Sequence, residues 1–244
     1  HNNVTTYQTQ YYAKMRTEFD AGLRALDGIV ALTETDLAGF SQYNHTTKIW
    51  NPLTIVPDGR ADLSQHTIAL TSRIAIEHKG LDLALAFAAK LPHDWQLAIA
   101  GGGTDSDVSR FHSLVEQNHV ADKLIYRGAL KDEALKKHYR AASIFLQTSR
   151  WEGLPLVLAE AMSFGLPVVA MYNTGSAEVL ESGKYGLITP ATDVNALYDA
   201  IRPLLNNIQL REEYAQRSLQ RVEDFKIAPI LAQWEAILSP TFDN

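Results

Sequence analysis

Cysteine is absent from this sequence of 244 residues. The absence excludes a disulfide framework and every metal site built on thiolates, and it fits a reducing compartment. A long apolar run is missing as well: none continues for the roughly 18 residues that a membrane-spanning helix needs, and no signal peptide opens the chain. We therefore expect a cytoplasmic protein.

Clusters of basic residues are also missing. The chain has 22 Lys and Arg against 28 Asp and Glu, a formal net charge of −6, and no block of Lys or Arg that would attract a phosphate backbone. We therefore expect no nucleic-acid partner. The composition is otherwise that of a globular chain, long enough for one large domain or for one and a half ordinary ones. The chain opens on His1 rather than Met, which suggests a piece of a longer protein.

The first quarter of the chain ends in a linker. Before the linker, the pattern predicts a helix, a buried strand, a short helix and a second strand, at residues 6–26, 28–33, 35–43 and 47–51. The stretch PLTIVPDGRADLSQ, residues 52–65, contains two Pro and a Pro-Asp-Gly turn signal. We predict that this stretch connects the first 51 residues to a separate domain.

Beyond the linker, short apolar strands alternate regularly with helices. The predicted strands are residues 66–73, 95–100, 123–127, 143–149, 167–171 and 185–189. The predicted helices are residues 81–91, 106–118, 131–141 and 155–164, and helical patterns dominate from residue 193 to the end. This alternation predicts an α/β fold, a Rossmann-like parallel sheet with helices on both faces.

The residues that could bind a ligand or take part in a reaction follow the ends of these strands. Arg73 ends the first strand of the series, and Lys79 follows in the loop before the next helix. The triplet GGG, residues 101–103, ends the second strand, Gly128 follows the third, and Glu152 follows the fourth. In open α/β sheets the carboxyl ends of the strands are where ligands bind, so we expect these residues to share one site.

Glu160 is the one charged residue between Leu154 and Met171. A carboxylate inside so apolar a run needs a partner or a wet cleft. We predict that Pro155 takes the first helical position and that the helix N-terminus offers an anion site made by four amides, those of Gly153, Leu154, Leu156 and Val157. Helical side chains lean back toward the N-terminus, so Glu160 would point to the same mouth. The alternative is that Glu160 caps a neighbouring backbone group or pairs with a core Arg.

Several segments carry a family resemblance. The stretch SRWEGLPLVLAEAMSFGLPVVA, with Glu152 and Glu160 separated by seven residues, resembles the hallmark of retaining, nucleotide-sugar-dependent glycosyltransferases of the GT-B fold (glycosyl transferases group 1, family 4-like). Arg73 and Lys79 in SRIAIEHKGLD match that family's Arg and Lys, and AIAGGG, YRGAL and NTGSAEVLESGKYGLITP match further turns. The similarity runs from about residue 66 to about residue 205 and points to the C-terminal, donor-binding domain.

The resemblance implies roles for the matching residues. Arg73 and Lys79 would clamp the donor diphosphate, together with the amides of Leu156 and Val157. Glu160 would accept hydrogen bonds from the ribose hydroxyls, and Glu152, the catalytic candidate, would hold the donor sugar near its reacting carbon. Gly102 would lie in the donor-binding turn after the second strand, and the segment from Gly128 to Lys131 would meet the edge of the base. A nucleoside-diphosphate sugar would be the substrate, with no metal and no other cofactor.

The resemblance also implies a division of the chain. Residues 1–51 would be a remnant of an N-terminal, acceptor-binding domain, residues 52–65 the linker, residues 66–205 the donor domain and residues 206–244 C-terminal helices. A glycan or lipid-linked acceptor would bind through the missing part, so we expect the chain alone to transfer no sugar. The full-length enzyme would act in the cytoplasm, with peripheral association to the inner face of the membrane left open. None of the eight His residues is assigned a catalytic role.

The sequence departs from the family pattern at two positions. Ser72 stands where the family usually has Gly, and Tyr172 stands where it usually has a small or acidic residue.

Two other classes of function are alternatives to a glycosyltransferase. AIAGGG after a strand suggests a dinucleotide-binding oxidoreductase, but GGGTDSD lacks the G-x-G-x-x-G spacing. A non-catalytic nucleotide-sugar binding module or a sugar-nucleotide epimerase of the GT-B fold is the other alternative. The sugar, the base and the acceptor stay open.

Overall fold

The computed structural model describes residue 4 and residues 15–238. Among these residues, the N-terminal unit includes helices α1 and α2, at Arg16–Arg24 and Glu34–Phe40, and short strands β1 and β2, at Ile29–Ala31 and Thr46–Lys48. The two strands pair in parallel, with Ile29 opposite Thr46. The predicted helix over residues 6–26 coincides with α1 in its second half, and its first part lies outside the described residues.

The main sheet has six parallel strands, as the alternating pattern predicts. They are β3 to β8, at Thr67–Thr71, Gln96–Ala100, Leu124–Tyr126, Ile144–Gln147, Val168–Met171 and Leu187–Thr189. Their spatial order is β5-β4-β3-β6-β7-β8, and every neighbouring pair is parallel. Each of the six strands begins and ends inside the range predicted for it, so the Rossmann-like parallel sheet is confirmed.

Helices cover both faces of this sheet. They are α3 to α11, at Ile76–Lys79, Leu81–Ala88, Asp105–Gln117, Asp132–Arg140, Leu156–Ser163, Thr174–Val179, Val194–Asn206, Ile208–Arg221 and Ile227–Leu238. Successive residues of a strand point to opposite faces. Accordingly Ile68 and Leu70 of β3 belong to one core cluster, with Phe111 of α5 and Ile201 of α9. Ala69 between them belongs to the other cluster, which contains α6 and α7.

The strand order reverses between β3 and β6. The chain first builds outward from β3 to β5 and then crosses back to place β6 on the other side of β3. The loops that follow β3 and β6 therefore leave the sheet side by side and turn in opposite directions. A crevice opens between such loops at the carboxyl ends of the strands, which is where α/β folds of this type bind ligands.

The N-terminal unit is joined to the main sheet through Glu178 of α8. One carboxylate oxygen accepts hydrogen bonds from Lys48 Nζ at 2.9 Å and from Trp50 Nε1 at 3.0 Å, and the other accepts the backbone N–H of Glu34 at 3.0 Å. The Glu178 side chain is only 9% exposed. A carboxylate this well buried and this well bonded fixes β2 and α2 against α8.

None of the helices within the described residues combines the length and the apolar composition needed for a membrane span.

Candidate functional site

The crevice between the β3 and β6 loops contains an ion pair between two of the predicted site residues. Lys79 Nζ lies 2.6 Å from Glu152 Oε1, and the two side chains are 14% and 12% exposed. Lys79 is not in a loop, as the sequence had suggested, but is the last residue of the short helix α3. The left-handed Gly80, at φ +60°, separates this helix from α4, and a Cβ there would stand 2.1 Å from the Thr148 carbonyl oxygen. Only glycine fits so close an approach.

Arg150 joins the two loops on either side of this ion pair. Its guanidinium makes two parallel hydrogen bonds to the Asp82 carboxylate, at 2.9 and 2.7 Å. The backbone N–H of Arg150 donates to the His78 carbonyl at 3.0 Å. The Thr148 hydroxyl adds a bond of 2.9 Å to the Lys79 carbonyl. Bidentate arginine–carboxylate pairs fix geometry as well as charge, so Lys79 and Glu152 stand on a rigid frame.

A stacked pair of rings lies beside the ion pair. The His78 and Trp151 rings are parallel within 6°, with centroids 4.7 Å apart, and His78 Nε2 lies 3.0 Å from the Trp151 carbonyl oxygen. Burial lowers the pKa of His78, and the Lys79 ammonium group lowers it further. Both effects favour the neutral imidazole beside Lys79.

The N-terminus of α7 lies on the other side of Glu152. Helix α7 begins at Leu156, so Pro155 is its N-cap, with φ −77°, and not its first helical residue. The predicted start was one position too early, because Pro155, with ψ 88°, does not yet have helical backbone angles. In the described part of the chain the four predicted amides donate no hydrogen bond to a protein acceptor; they are those of Gly153, Leu154, Leu156 and Val157. A helix N-terminus with free amides favours an anion.

Gly175 allows α8 to approach this N-terminus. A Cβ at Gly175 would lie 2.5 Å from the Gly153 carbonyl oxygen and 2.8 Å from Pro155 Cδ. The N-cap Asn173 accepts the Ser176 N–H and donates to the Ser149 carbonyl at 3.0 Å. The segment that carries the free amides is therefore pressed between β6 and α8 and has a fixed conformation.

Glu160 has a partner that the sequence had not indicated. The Tyr139 hydroxyl donates to Glu160 Oε2 at 2.7 Å, so the carboxylate is bonded neither to a core Arg nor to a backbone amide. In the described residues the other oxygen, Oε1, accepts no hydrogen bond from the protein. Burial raises the pKa of Glu160, and the hydrogen bond from Tyr139 acts in the opposite direction.

The glycine-rich loops close the β3 side of the crevice. Gly101 cannot carry a side chain, because a Cβ would stand 1.6 Å from the Ser72 carbonyl oxygen. The Gly102 carbonyl accepts the Ile74 N–H at 2.8 Å, so Gly102 braces the turn that presents Arg73. Arg73 itself is exposed, and within the described residues it forms no ion pair.

The segment from Gly128 to Lys131 follows β5 at the same edge. Gly128 has a left-handed backbone, with φ +65°, and its carbonyl accepts the Gly101 N–H at 2.7 Å. Lys131 is exposed and forms the N-cap position of α6. The predicted site residues thus lie on both sides of the switch point at one edge of the sheet, and their individual roles remain predictions.

Sequence reasoning missed the residues that hold this site together. Tyr139 and Asp82 gave no signal, because a core tyrosine and a helical acid have the composition of any helix in this fold. Glu178 lay within a matched segment but was not singled out. Gly175 was within a matched segment, and its position between Asn173 and Ser176 at a helix start was the one available sign.

A cavity of about 510 Å³ lies between the N-terminal unit and α8, and its lining includes Lys48, Trp50, Tyr172 and Glu178 but not Glu152 or Glu160. In the described part of the chain, no group of three or more His, Cys, Asp or Glu residues is arranged to hold a metal ion.

A doubly wound parallel sheet with this crevice at its switch point defines the Rossmann-like class. Solved structures share the fold, and two of them serve as examples. One is Anabaena HepE in complex with UDP and glucose, with a TM-score of 0.84, 18% identity, and 98% of this chain and 70% of that chain covered. The other is sucrose-phosphate synthase from Thermosynechococcus elongatus, with a TM-score of 0.79 and 23% identity. The match covers 96% of this chain and 64% of that chain. These likenesses show that the fold is that of GT-B glycosyltransferases.

The family is established by sequence. A profile described as Glycosyl transferases group 1 matches residues 59–221. The chain is 30% identical over 221 residues to an uncharacterized glycosyltransferase of Haemophilus influenzae. The matched region covers 87% of this chain and 61% of the relative. It is 29% identical over 166 residues to the GDP-mannose-dependent alpha-(1-6)-phosphatidylinositol monomannoside mannosyltransferase of Mycolicibacterium smegmatis, covering 61% of this chain and 43% of the relative.

This chain belongs to the glycosyl transferases group 1 family. The family predicted from the Glu152 and Glu160 motif is thereby confirmed. The chain spans less than two thirds of the length of these two relatives.

Proposed function

We propose that this chain is the donor-binding part of a retaining glycosyltransferase that takes its sugar from a nucleoside-diphosphate sugar. The observation that carries the proposal is the Lys79–Glu152 pair beside the free amides of the α7 N-terminus. A cation and a row of N–H donors form a site for a diphosphate, and a carboxylate next to them suits the hydroxyls of a sugar. The alternating charges match a ligand with a phosphate centre and a hydroxyl-bearing group on each side.

Each residue takes a role that its surroundings support. Lys79 and Arg73 neutralise the charge that develops on the departing nucleoside diphosphate, and the α7 amides share that charge. Glu152 accepts hydrogen bonds from the donor sugar and holds its reacting carbon near the cleft. Glu160 accepts hydrogen bonds from the ribose, while Gly102 and the segment from Gly128 to Lys131 border the base.

The reaction would be a same-face substitution. The bond between the anomeric carbon and the phosphate oxygen breaks, the acceptor oxygen bonds to that carbon from the same face, and the leaving phosphate takes the acceptor's proton. We propose that this needs no metal ion, because Lys79, Arg73 and the amides supply positive charge where the leaving group forms. We also propose that the enzyme works in the cytoplasm, where nucleotide sugars are its donors.

The base and the acceptor are not decided by these residues. The mannosyltransferase of M. smegmatis is named as GDP-mannose-dependent, and the HepE structure contains UDP. We propose an acceptor that is a glycan or is lipid-linked, because the same M. smegmatis relative is named for a phosphatidylinositol monomannoside acceptor. Peripheral association of the full-length enzyme with the inner membrane face follows if the acceptor is lipid-linked.

Calorimetric titration with UDP, GDP and NAD tests the donor-binding proposal. One nucleoside diphosphate should bind and NAD should not, because the glycine-rich turn lacks the spacing of a dinucleotide fingerprint. Lys90→Ala, an exposed lysine just beyond the last residue of α4, is a matched control for Lys79→Ala. Tight binding of NAD alone would instead support an oxidoreductase.

A second test concerns transfer by this chain alone. We expect no efficient transfer to a defined acceptor, although slow hydrolysis of a bound donor is compatible with the proposal. An assay with radiolabelled donor and a panel of glycan acceptors measures both. Efficient transfer would mean that the described N-terminal unit already contains an acceptor site.

A further inference from the structure

Tyr139 contacts the Glu160 carboxylate from beneath the crevice. It lies on α6, its side chain is completely buried, and its hydroxyl donates to Glu160 Oε2 at 2.7 Å. The ring stacks on Phe164, with centroids 5.3 Å apart, and packs against Phe145 at 5.9 Å. The aromatic neighbours fix the position of the ring and therefore of its hydroxyl group. The hydrogen bond from this hydroxyl in turn fixes the position of Glu160 Oε2.

This contact occupies one of the two carboxylate oxygens of Glu160. Oε2 is bonded to Tyr139, whereas Oε1 accepts no hydrogen bond from the described part of the protein. A carboxylate in this arrangement cannot rotate freely, and it presents its open positions in one direction. Two neighbouring hydroxyls of a ribose are the donors that such an oriented carboxylate binds well.

The same contact also opposes the effect of burial on the protonation of Glu160. Burial favours the neutral acid at Glu160, and the Tyr139 hydroxyl favours the carboxylate because it donates to it. Among the described residues, Tyr139 is the one titratable side chain that acts resolvably on Glu160. Burial and the neighbouring Glu160 carboxylate raise the pKa of Tyr139 itself well above its ordinary value, so its hydroxyl keeps its proton.

We propose that Tyr139 is a positioning residue for donor binding, which holds the Glu160 carboxylate oriented toward the ribose. The inference rests on the proposed function, in which Glu160 binds the ribose. Tyr139 touches no substrate and acts through Glu160 alone. The competing explanation is that Tyr139 only fills the core between Phe145 and Phe164.

A double-mutant cycle separates the two explanations. Tyr139→Phe keeps the ring and removes the hydroxyl, and Glu160→Gln keeps the side-chain shape and removes the charge. Tyr139→Phe should weaken binding of UDP or GDP, whichever binds the wild type, by about 3- to 10-fold. In the Glu160→Gln background the same change should have almost no effect, because the residue through which Tyr139 acts is gone. Tyr198→Phe on α9 is the matched control and should leave binding unchanged.

Two readouts would not respond to a purely structural role. The first is discrimination between the ribonucleotide and its 2′-deoxy form, which should fall in Tyr139→Phe. The second is the pH at which affinity declines on acidification, which should rise in Tyr139→Phe because Glu160 then becomes protonated more easily. If Tyr139→Phe does not fold, 3-fluorotyrosine introduced at position 139 is a stronger donor and should move that decline to lower pH.

The outcomes distinguish this inference from the function on which it rests. If wild type binds neither UDP nor GDP, the proposed function fails and this inference with it. If wild type binds and Glu160→Gln weakens binding, but the Tyr139→Phe effect is the same in both backgrounds, then Tyr139 is structural and the proposed function stands. Coupled effects, with loss of deoxy discrimination and a shifted pH profile, support Tyr139 as the positioning residue.

Discussion

Lys79 Nζ and Glu152 Oε1 are 2.6 Å apart, although the two residues lie 73 positions apart in the chain. Each side chain is largely but not completely buried, at 14% and 12% exposure. The pair is therefore accessible from the crevice. A ligand that brings both a phosphate and a hydroxyl finds the cation and the anion already in place.

Replacing Lys79 tests the diphosphate clamp. Lys79→Ala should weaken nucleoside diphosphate binding about 10- to 100-fold, because a charge-assisted hydrogen bond to phosphate contributes roughly 1.5–3 kcal/mol. Calorimetry measures the change, and Lys90→Ala should leave the dissociation constant unaltered. A Lys79→Ala protein with wild-type affinity would remove Lys79 from the site.

Replacing Glu160 separates binding from packing. Glu160→Gln should keep α7, since Gln forms helices about as well as Glu, and should lose affinity for ribonucleotides and discrimination against their 2′-deoxy forms. The raised pKa of Glu160 means that the folded protein takes up this proton before the unfolded chain does. Stability from this group is therefore fully present below the unfolded pKa and is lost as pH rises through the folded pKa.

Glu160→Gln should accordingly not lower the melting temperature at neutral pH, and should raise it slightly. Thermal unfolding at neutral pH, beside calorimetry on the same protein, gives both quantities. A lower melting temperature with unchanged binding would mean that Glu160 serves the core and not a ligand.

His138 predicts an acid-sensitive component of stability. It is buried in α6, and burial together with the nearby Arg127 lowers its pKa from 6.5 to about 4. The unfolded chain binds this proton first, so the contribution is complete above pH 6.5 and is lost as pH falls toward about 4. The loss amounts to about 3 kcal/mol.

Urea unfolding of His138→Gln measures this component. Between neutral and mildly acidic pH the variant should lose less stability than wild type, whereas His93→Gln, at an exposed position, should behave as wild type. Equal acid sensitivity in wild type and His138→Gln would assign the effect to other groups.

Gly175 tests the close packing of α8 on the anion site. Gly175→Ala places a Cβ 2.5 Å from the Gly153 carbonyl oxygen, so the segment with the free amides must shift. We expect a loss of about 1–3 kcal/mol in stability, as for other overpacked sites, and weaker nucleoside diphosphate binding. Gly22→Ala, in α1, meets no atom within 4 Å and should be neutral or slightly stabilising. Unchanged binding in Gly175→Ala would show that the amides do not contact the ligand.

Local patterns in the sequence determined the sheet and the edge at which the site lies. The apolar segments of β3 to β8 have strand length and are separated by helical segments, and this alternation permits only a parallel sheet with two covered faces. Because carboxyl ends of parallel strands share one edge, Arg73, Gly128 and Glu152 were predicted together from their positions alone. The family followed from the spacing of Glu152 and Glu160, which is also a local property.

Only the tertiary structure decided which side chains are bonded to one another. The bond from Tyr139 to Glu160 spans 21 positions, and the bond from Lys48 to Glu178 spans 130. Periodicity along the chain states which face a residue occupies, but not which residue of another element stands opposite it. That depends on how helices rotate and shift when they pack, and on glycines such as Gly80 and Gly175 that let two segments approach. The partner of a buried carboxylate is thus a property of packing, since burial makes a bond necessary and geometry alone selects the donor.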